Sequence, residues 1–360
     1  MEILLSSIIG AIVSLILSLI FEDQLTSLKK RFLRWLRTIF YRRKSPIPKA
    51  ETFSIGKYTT SWLVIDGDGE LEYTPATIRC RVENMPYTLP PEISALRDTI
   101  QKREARKKSK GENYQWNGPM YSLEKYARGR TIPEENLEIT LTFRPSDYFT
   151  FQATITSLDT NLLTPPAVLT LRQKYLQGHE LSNPIPFLSN GFGIALAVIT
   201  KDKKLILTRR NTNIGVRPGQ LDSSVVEGIQ PILDRSNTYK GPDLYRTAIR
   251  GAQEELGIQL LQEDIHFLGF GLDTEYYQWG LLGIAYCSET IEQIREIRTR
   301  GIGGKWEVNQ IEAIDINPKQ ILARLKENKI WSIGFVTVYY ALTKEFGKDK
   351  IDTIAKEIFK

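Results

Sequence analysis

A chain of 360 residues, 41% hydrophobic and 25% charged, is long enough for two globular units and an appendage, which excludes a wholly disordered protein. The two cysteines exclude a disulfide framework and indicate a reducing compartment, and the two histidines, His179 and His266, lie too far apart for a metal signature. The net charge of +6 is local: residues 1–44 hold eight basic and three acidic side chains, leaving 40 of the 48 basic and 39 of the 42 acidic residues for the rest, which argues against a broad nucleic-acid surface.

Residues 3–21 contain no charge, and thirteen of the nineteen are Ile, Leu, Val or Phe. As a helix this segment would be about 28 Å long, close to the ~30 Å hydrocarbon core of a bilayer. A cleaved secretory signal and a buried core helix are the alternatives. Glu2 and the following Phe-Glu-Asp oppose the first, and apolar residues on every face oppose the second. With eight basic residues after the run and none before it, residues 1–21 are predicted to be a single transmembrane helix with the C-terminal bulk in the cytoplasm.

Small residues recur at every fourth position of this run, at Ser6, Gly10, Ser14 and Ser18. On a helix they form one stripe along which neighbouring helices approach closely. The stripe predicts a self-association face and a homo-oligomer, although Ser and Gly are also common in spans that do not associate.

Residues 22–50 are predicted to be a basic amphipathic helix and a linker. Apolar residues alternate with cations over residues 25–41, which is typical of a helix lying at lipid headgroups and anchored here by Trp35. The partner would be the anionic inner leaflet of the membrane; a solvated amphipathic linker is the alternative. Ser45-Pro46-Ile47-Pro48 ends the helix.

Residues 51–185 read as a β-rich middle region. Asp66-Gly67-Asp68-Gly69 predicts a hairpin turn, because a calcium loop would need Glu where Thr77 stands. Strands at 137–143 and 149–156 are expected to pair, and residues 92–106 to form a helix that runs into a solvated basic loop, 107–111. The sequence leaves open whether this region is a separate domain or an extension of the unit that follows.

Residues 244–256 show the clearest helical pattern in the chain. Pro242 and Asp243 supply start signals, Gly257 supplies the stop, and apolar residues recur every four positions. Glu254 and Glu255 close the last turn, where the negative end of the helix dipole disfavours them, so that Arg250 or a divalent metal should compensate. Glu255, next to the apolar face, is expected to be partly buried.

This helix resembles the core of the Nudix box: Arg250, Ala252, Glu254, Glu255, Gly257 and Ile258 match the pattern, and Gly251 departs from it. The surrounding strands, expected at 191–199, 204–210, 221–227, 265–270, 278–287 and 307–316, follow the order of that family. The resemblance implies an α/β/α sandwich with a mixed sheet over residues 186–360, followed by helices at 318–328, 332–345 and 349–359. It also implies Mg²⁺ held against a nucleoside diphosphate derivative.

Site residues follow from the same resemblance. Glu254 and Glu255, with Glu227 as a third carboxylate, are the expected metal ligands. Arg209, Arg210 and Trp306 are the expected nucleotide contacts, with Tyr276, Tyr277 and Trp279 as further aromatic candidates. Gly251 stands where the family has its first Glu, so no catalytic residue is assigned, hydrolysis is in doubt, and binding without turnover is favoured.

The whole arrangement is similar to the membrane-anchored, SMODS-associated Nudix effectors of CBASS anti-phage systems. That resemblance implies a bacterial inner-membrane protein, a partner cyclic-nucleotide synthase, a cyclic oligonucleotide ligand, and membrane disruption that ends in abortive infection. A membrane-tethered Nudix hydrolase of nucleoside diphosphate derivatives is the alternative function, and a membrane scaffold that binds no nucleotide is the third.

Overall fold

The computed structural model describes residues 51–85, 87–162, 169–212, 217–301 and 308–360. The expected membrane span, its stripe of small residues and the juxtamembrane helix lie outside these ranges. Within them, no helix combines the length and the hydropathy needed to cross a bilayer. The described residues belong to one compact unit, Ile47–Lys360.

The strands, in chain order, are β1 (Ser54–Ile55), β2 (Tyr58–Thr59), β3 (Trp62–Asp66), β4 (Tyr73–Val82), β5 (Pro119–Arg130), β6 (Leu137–Asp147), β7 (Asn161–Leu162), β8 (Leu169–Thr170), β9 (Gly193–Ile199), β10 (Lys204–Arg210), β11 (Leu221–Asp222), β12 (Val225–Gly228), β13 (Ile265–Asp273), β14 (Gln278–Tyr286) and β15 (Val308–Asp315). The helices are α1 (Pro91–Ser109), α2 (Tyr148–Thr154), α3 (Leu244–Glu255), α4 (Ile291–Arg300), α5 (Pro318–Glu327), α6 (Ser332–Phe346) and α7 (Lys348–Ile358). Short 3₁₀ turns at Ile155–Ser157 and Gln262–Asp264 and a π-helical turn at Arg172–Leu176 complete the described elements.

A large mixed sheet organises these elements. Its strand order is β11-β10-β9-β14-β13-β4-β6-β5, while β12 pairs with β9, β15 with β10 and β3 with β13. The β9–β14 and β4–β6 pairs are parallel and the other pairs of this sheet are antiparallel. The expected mixed α/β architecture is therefore present.

Two apolar cores lie on opposite faces of the sheet. Ile194 and Leu196 on β9 face a core that includes the apolar stripe of α3. Their neighbours Ala195 and Ala197 face a second core built largely from α6. Because successive side chains of a strand point to opposite faces, this strand, which is buried from Ile194 to Ile199, is apolar throughout and is covered by a helix on each side.

The order of strands from residue 193 onward agrees with the expectation, but the helix α4 between β14 and β15 was not expected. The run expected at 221–227 is divided, however: β11 pairs with β10 and β12 pairs with β9. Ser223 and Ser224 lie at the break, and the Ser224 hydroxyl spans it by donating to the Ile206 carbonyl and accepting from the Val198 N–H.

Three expectations for the middle region are wrong. The loop expected at 107–111 is helical through Ser109, because α1 continues to that residue. The strand expected at 149–156 is the helix α2, because the Asp147 carboxylate caps its first turn by accepting from the Thr150 N–H at 2.8 Å. The strand β6 instead pairs with β5 on one side and with β4 on the other. The hairpin expected around Asp66-Gly67-Asp68-Gly69 is also absent, since β3 and β4 do not pair with each other within the described residues and instead lie one after the other along β13.

Candidate functional site

The helix α3 forms as its sequence predicts. The Asp243 side chain accepts from the N–H groups of Tyr245 and Arg246, at 3.0 and 3.4 Å, and Gly257 ends the helix with a φ of +77°. The apolar stripe packs on β9 and β12, so the last turn of α3 lies directly over the end of β12.

Glu255 fastens that last turn to the strand. Its side chain is buried, and Oε1 accepts from the Val226 N–H at 3.0 Å. Arg298 of α4 donates to the Glu255 backbone carbonyl. Burial lowers the pKa of Arg298, although the negative charge of Glu255 acts in the opposite direction. The expected burial of Glu255 is confirmed, and its carboxylate is already a hydrogen-bond acceptor within the fold.

Arg250 lies at the centre of a cluster of acids. Its Nε and Nη2 each lie 2.8 Å from a carboxylate oxygen of Asp234, and Nη1 lies 3.2 Å from Glu227 and 3.3 Å from Glu254. Nη2 also donates to the Gly228 carbonyl at 2.8 Å. Burial alone would lower the pKa of Arg250, but hydrogen bonding to Asp234 and the charges of Glu227 and Glu254 hold it above its ordinary value.

The contacts of Arg250 and of the Val226 N–H show where the three expected metal ligands lie. Glu227 and Glu254 both face the guanidinium of Arg250, and Glu255 faces a backbone N–H. In the ranges the structure covers, no group of three or more Asp, Glu, His or Cys side chains is arranged to hold a metal ion. The residues as they stand therefore do not fit a three-carboxylate Mg²⁺ site, because a cation of the chain itself occupies the position between the acids.

Asp234 is the member of the network that sequence reasoning missed. It is 1% exposed and also accepts from the Thr247 hydroxyl and the Gln230 N–H, at 3.0 and 2.7 Å. The usable signal was Arg250 itself: a guanidinium on the buried side of a helix needs more than one exposed partner. The spacing of residues in the sequence did not predict that Asp234, in the long loop before α3, would be the partner of Arg250.

Gly251 has a steric reason to lack a side chain. A Cβ at this position would lie 2.7 Å from the Glu227 Cβ and 2.9 Å from the Val225 Cγ1. Neither is the free end of a flexible side chain, so the contact could not be relieved cheaply. The carboxylate missing from the helix is thus matched by Glu227, which approaches the same space from β12.

A cavity of about 150 Å³ opens beside this network. The end of β12 separates the two, with Glu227 and Gly228 belonging to both. The lining of the cavity is more apolar than polar, and its walls come from Phe151, Gly193, Ile194, Arg210, Val226, Glu227, Gly228, Asp273, Gln278, Trp279, Trp331 and Ile333. An apolar pocket with a few convergent polar groups is the usual form of a small-molecule site.

Arg210 supplies the cation of this cavity. Its guanidinium carbon lies 5.4 Å from the ring centre of Trp331, and Nη1 lies 3.6 Å from Asp222. Burial raises the pKa of Asp222 to about 6 against the opposing charge of Arg210. The Trp331 indole N–H donates to Asp273 at 2.5 Å, so that the position of the ring is fixed. Trp331 was not among the expected aromatic contacts.

Trp279 leaves a donor unpaired in the wall of the cavity. Its side chain is 1% exposed, and its indole nitrogen has no hydrogen-bond partner within the described part of the chain. A buried donor without an acceptor costs about 1–3 kcal/mol.

The other expected contacts are elsewhere. Arg209 donates to the Gly219 carbonyl and pairs with Glu312 at 3.1 Å, so it belongs to the packing of β10 on β15. Tyr277 is buried in the core and donates to the Asn183 carbonyl at 2.9 Å. Tyr276 lies under the guanidinium of Arg217, 4.8 Å from its carbon. Trp306 lies outside the described residues.

Comparison with known proteins gives limited similarity. No family model matches the chain, and no curated protein matches it. Among solved structures, DR0079 from Deinococcus radiodurans is similar over 42% of this chain and 82% of its own, at 16% identity and a TM-score of 0.30. The MutT protein from Methanosarcina mazei Go1 is similar over 44% of this chain and 96% of its own, at 12% identity and a TM-score of 0.29. Similarity at this level does not extend to activity.

Proposed function

We propose that this chain is a membrane-anchored receptor whose degenerate Nudix-type unit binds a nucleotide without hydrolysing it. The observation that carries the proposal is the Arg250 network. Arg250 pairs with Glu227, Asp234 and Glu254 in place, while Glu255 is bonded to a strand, so these acids have structural partners beside the cavity. Recognition is left to the cavity itself and requires no Mg²⁺.

The cavity suits a planar ligand that carries both acceptors and an anionic group. Arg210 offers a fork of donors, which suits a phosphate or a carbonyl edge. A nucleobase with an adjacent phosphate presents this set of groups.

We further propose a biological role for this receptor. The ligand is a cyclic oligonucleotide made by a partner synthase after phage infection, and the predicted span of residues 1–21 holds the receptor at the bacterial inner membrane. Binding favours a homo-oligomer in which the stripe of Ser6, Gly10, Ser14 and Ser18 associates, which disrupts the membrane. A ligand can shift that equilibrium only by the difference between its affinities for the two states.

A binding screen tests the proposal. Cyclic di- and trinucleotides are titrated calorimetrically into fragment 45–360, with and without Mg²⁺, and assembly of the full chain in vesicles is followed by chemical crosslinking. We expect one of them to bind fragment 45–360 equally well in EDTA and to increase the amount of crosslinked full-chain oligomer. An absence of binding across the panel contradicts the proposal, and Mg²⁺-dependent turnover that Glu255→Ala abolishes would favour the alternative hydrolase.

One variant locates the site. Arg210→Gln removes the fork of donors that lines the cavity and should weaken binding about tenfold or more. Arg300→Gln, at an exposed position on α4 whose side chain pairs only with Glu296 in the described chain, is the matched control and should bind like the parent.

A further inference from the structure

We infer that the C-terminal half of α1, with the loop after it, is a second membrane contact that recognises anionic phospholipid. This surface comprises Lys102, Arg103, Arg106, Lys107, Lys108 and Lys110 of α1 and its C-cap, with Tyr114 and Trp116 of the loop. It belongs to the compact unit and does not depend on residues 1–44 or on the nucleotide cavity.

This surface keeps a net positive charge. Lys102, Arg106 and Lys110 recur every fourth residue, so they form one row along the helix, and the row lines a shallow depression on the surface. Glu104 pairs with Arg103 and Lys107, and Glu112 lines the same depression, but the remaining cations have no ion-pair partner among the described residues. The row is only about 12 Å long at 1.5 Å per residue, which suits a cluster of lipid headgroups better than a track for a nucleic-acid strand.

The aromatic residues beside the row are exposed. Trp116 is 69% exposed and Tyr114 is 42% exposed, and the ammonium of Lys108 lies 5.4 Å from the ring centre of Tyr114. Exposed Trp and Tyr next to Lys and Arg are the composition of a membrane–water interface, where an aromatic ring lies at headgroup depth and the cations meet phosphate.

Glu104 makes the helix and the loop one rigid surface. It is 2% exposed, its Oε1 accepts from Lys107 at 2.9 Å, and its Oε2 accepts from the Gln115 N–H at 2.9 Å. Burial alone would raise the pKa of Glu104, but the bonds from Lys107, Gln115 and Arg103 hold it at about 2. The carboxylate therefore stays charged, and the loop that carries Trp116 stays fixed against the cationic row.

Anionic lipid is favoured over nucleic acid by two further observations. Outside residues 1–44 the chain is nearly neutral, so no broad basic surface extends from this row. The same sequence predicts a span whose cytoplasmic side bears its own basic segment, which would place the compact unit next to an anionic leaflet.

Vesicle flotation of fragment 45–360 tests the inference. We expect the fragment to float with vesicles of phosphatidylcholine and phosphatidylglycerol, to remain in solution with phosphatidylcholine alone, and to be released by high salt. Lys102→Glu/Arg106→Glu/Lys110→Glu should weaken the partition at least about tenfold, and Trp116→Ala should weaken it several-fold.

The matched control reverses three exposed cations on other elements, Lys57, Lys319 and Lys356, with the same change of net charge. This control should float like the parent, and circular dichroism should show both triple variants to be folded. Equal loss in the two variants would mean that net charge alone acts, which overturns the inference. So would the absence of flotation, or a labelled single-stranded oligonucleotide that binds the row while vesicles do not.

Discussion

Gly251 and Glu227 form a reciprocal pair at the scale of single residues. The helix omits a side chain at the position where the neighbouring strand supplies one, and both choices are needed for α3 to reach β12. The glycine that departs from the sequence motif is therefore explained by a packing contact between α3 and β12.

Gly251→Ala should destabilise the fold. Overpacking against Glu227 and Val225 costs about 1–3 kcal/mol. This exceeds the ~0.5–1 kcal/mol by which alanine stabilises a helix relative to glycine. Urea unfolding of fragment 45–360 measures the difference, and Gln253→Ala, on the exposed face of the same helix, should lie within about 0.5 kcal/mol of the parent. A variant as stable as the parent would show that no close contact exists.

Asp222 should make stability depend on pH. Its pKa of about 6 in the folded state lies above the ordinary 3.8, so the folded state binds the extra proton between those values. The free energy of unfolding should therefore fall as pH rises through that window. The free energy of unfolding of Asp222→Asn, measured relative to that of the parent, should rise by about 2–3 kcal/mol between about pH 4 and pH 7. Urea titrations measure both proteins across this range, and a difference in free energy of unfolding that does not change with pH would contradict a raised pKa for Asp222.

The sequence predicted some of these residues and not others, for physical reasons. The burial of Glu255 followed from its place beside a helical stripe, which is a local property. Arg209 and Arg210 looked equivalent, but consecutive strand residues face opposite sides, and only the sheet topology shows that one meets Glu312 while the other lines the cavity. The partnership of Arg250 with Asp234 depends on a loop path that no periodicity describes.

At the scale of elements, Arg250 joins α3 to the loop after β12. Arg250→Met leaves Asp234 buried without a counter-charge, which should cost about 3–5 kcal/mol. Asp234→Asn should also destabilise, but the double variant should lose less than the sum of the two, with a coupling of about 1–3 kcal/mol.

The control for this cycle is Glu254→Gln. The Glu254 side chain is 42% exposed, so its ion pair with Arg250 should contribute no more than about 1 kcal/mol. Additive losses in the Arg250 and Asp234 variants would show that the two residues act independently, contrary to the geometry.

Elements were predictable where periodicity was long and unbroken. The strands from residue 193 onward and the three last helices met that condition. The segment 149–156 did not: its aromatic and β-branched residues suggest a strand, yet the Asp147 cap and packing against α1 make it a helix. Local propensity is weak, and a cap together with a tertiary contact outweighs it.

At the scale of the whole molecule, the middle region is part of the same sheet as the residues that follow it. Along β13, Trp62 pairs with Asp273 and Tyr73 pairs with Phe267, and Phe151 of α2 forms a wall of the cavity. The sequence left open a separate domain or an extension, because strand pairing between distant segments leaves no local signal.

This continuity predicts the behaviour of truncated chains. Fragment 45–360 should unfold in one cooperative transition by calorimetry. Fragment 186–360 should be aggregated or molten, because it would expose the edge of β13 and the buried aromatic side chains that pack against the missing strands. A stable, soluble fragment 186–360 with a sharp thermal transition would show that the two regions fold independently.

The early strand β3 forms its sheet contacts late in synthesis. Trp62 of β3 pairs with Asp273 of β13, about 210 positions further along the chain. At about 5–20 residues per second, a ribosome needs roughly ten to forty seconds to cover that distance. Until β13 emerges, β3 lacks the strand with which it pairs, and an unpaired strand edge favours aggregation of the nascent chain.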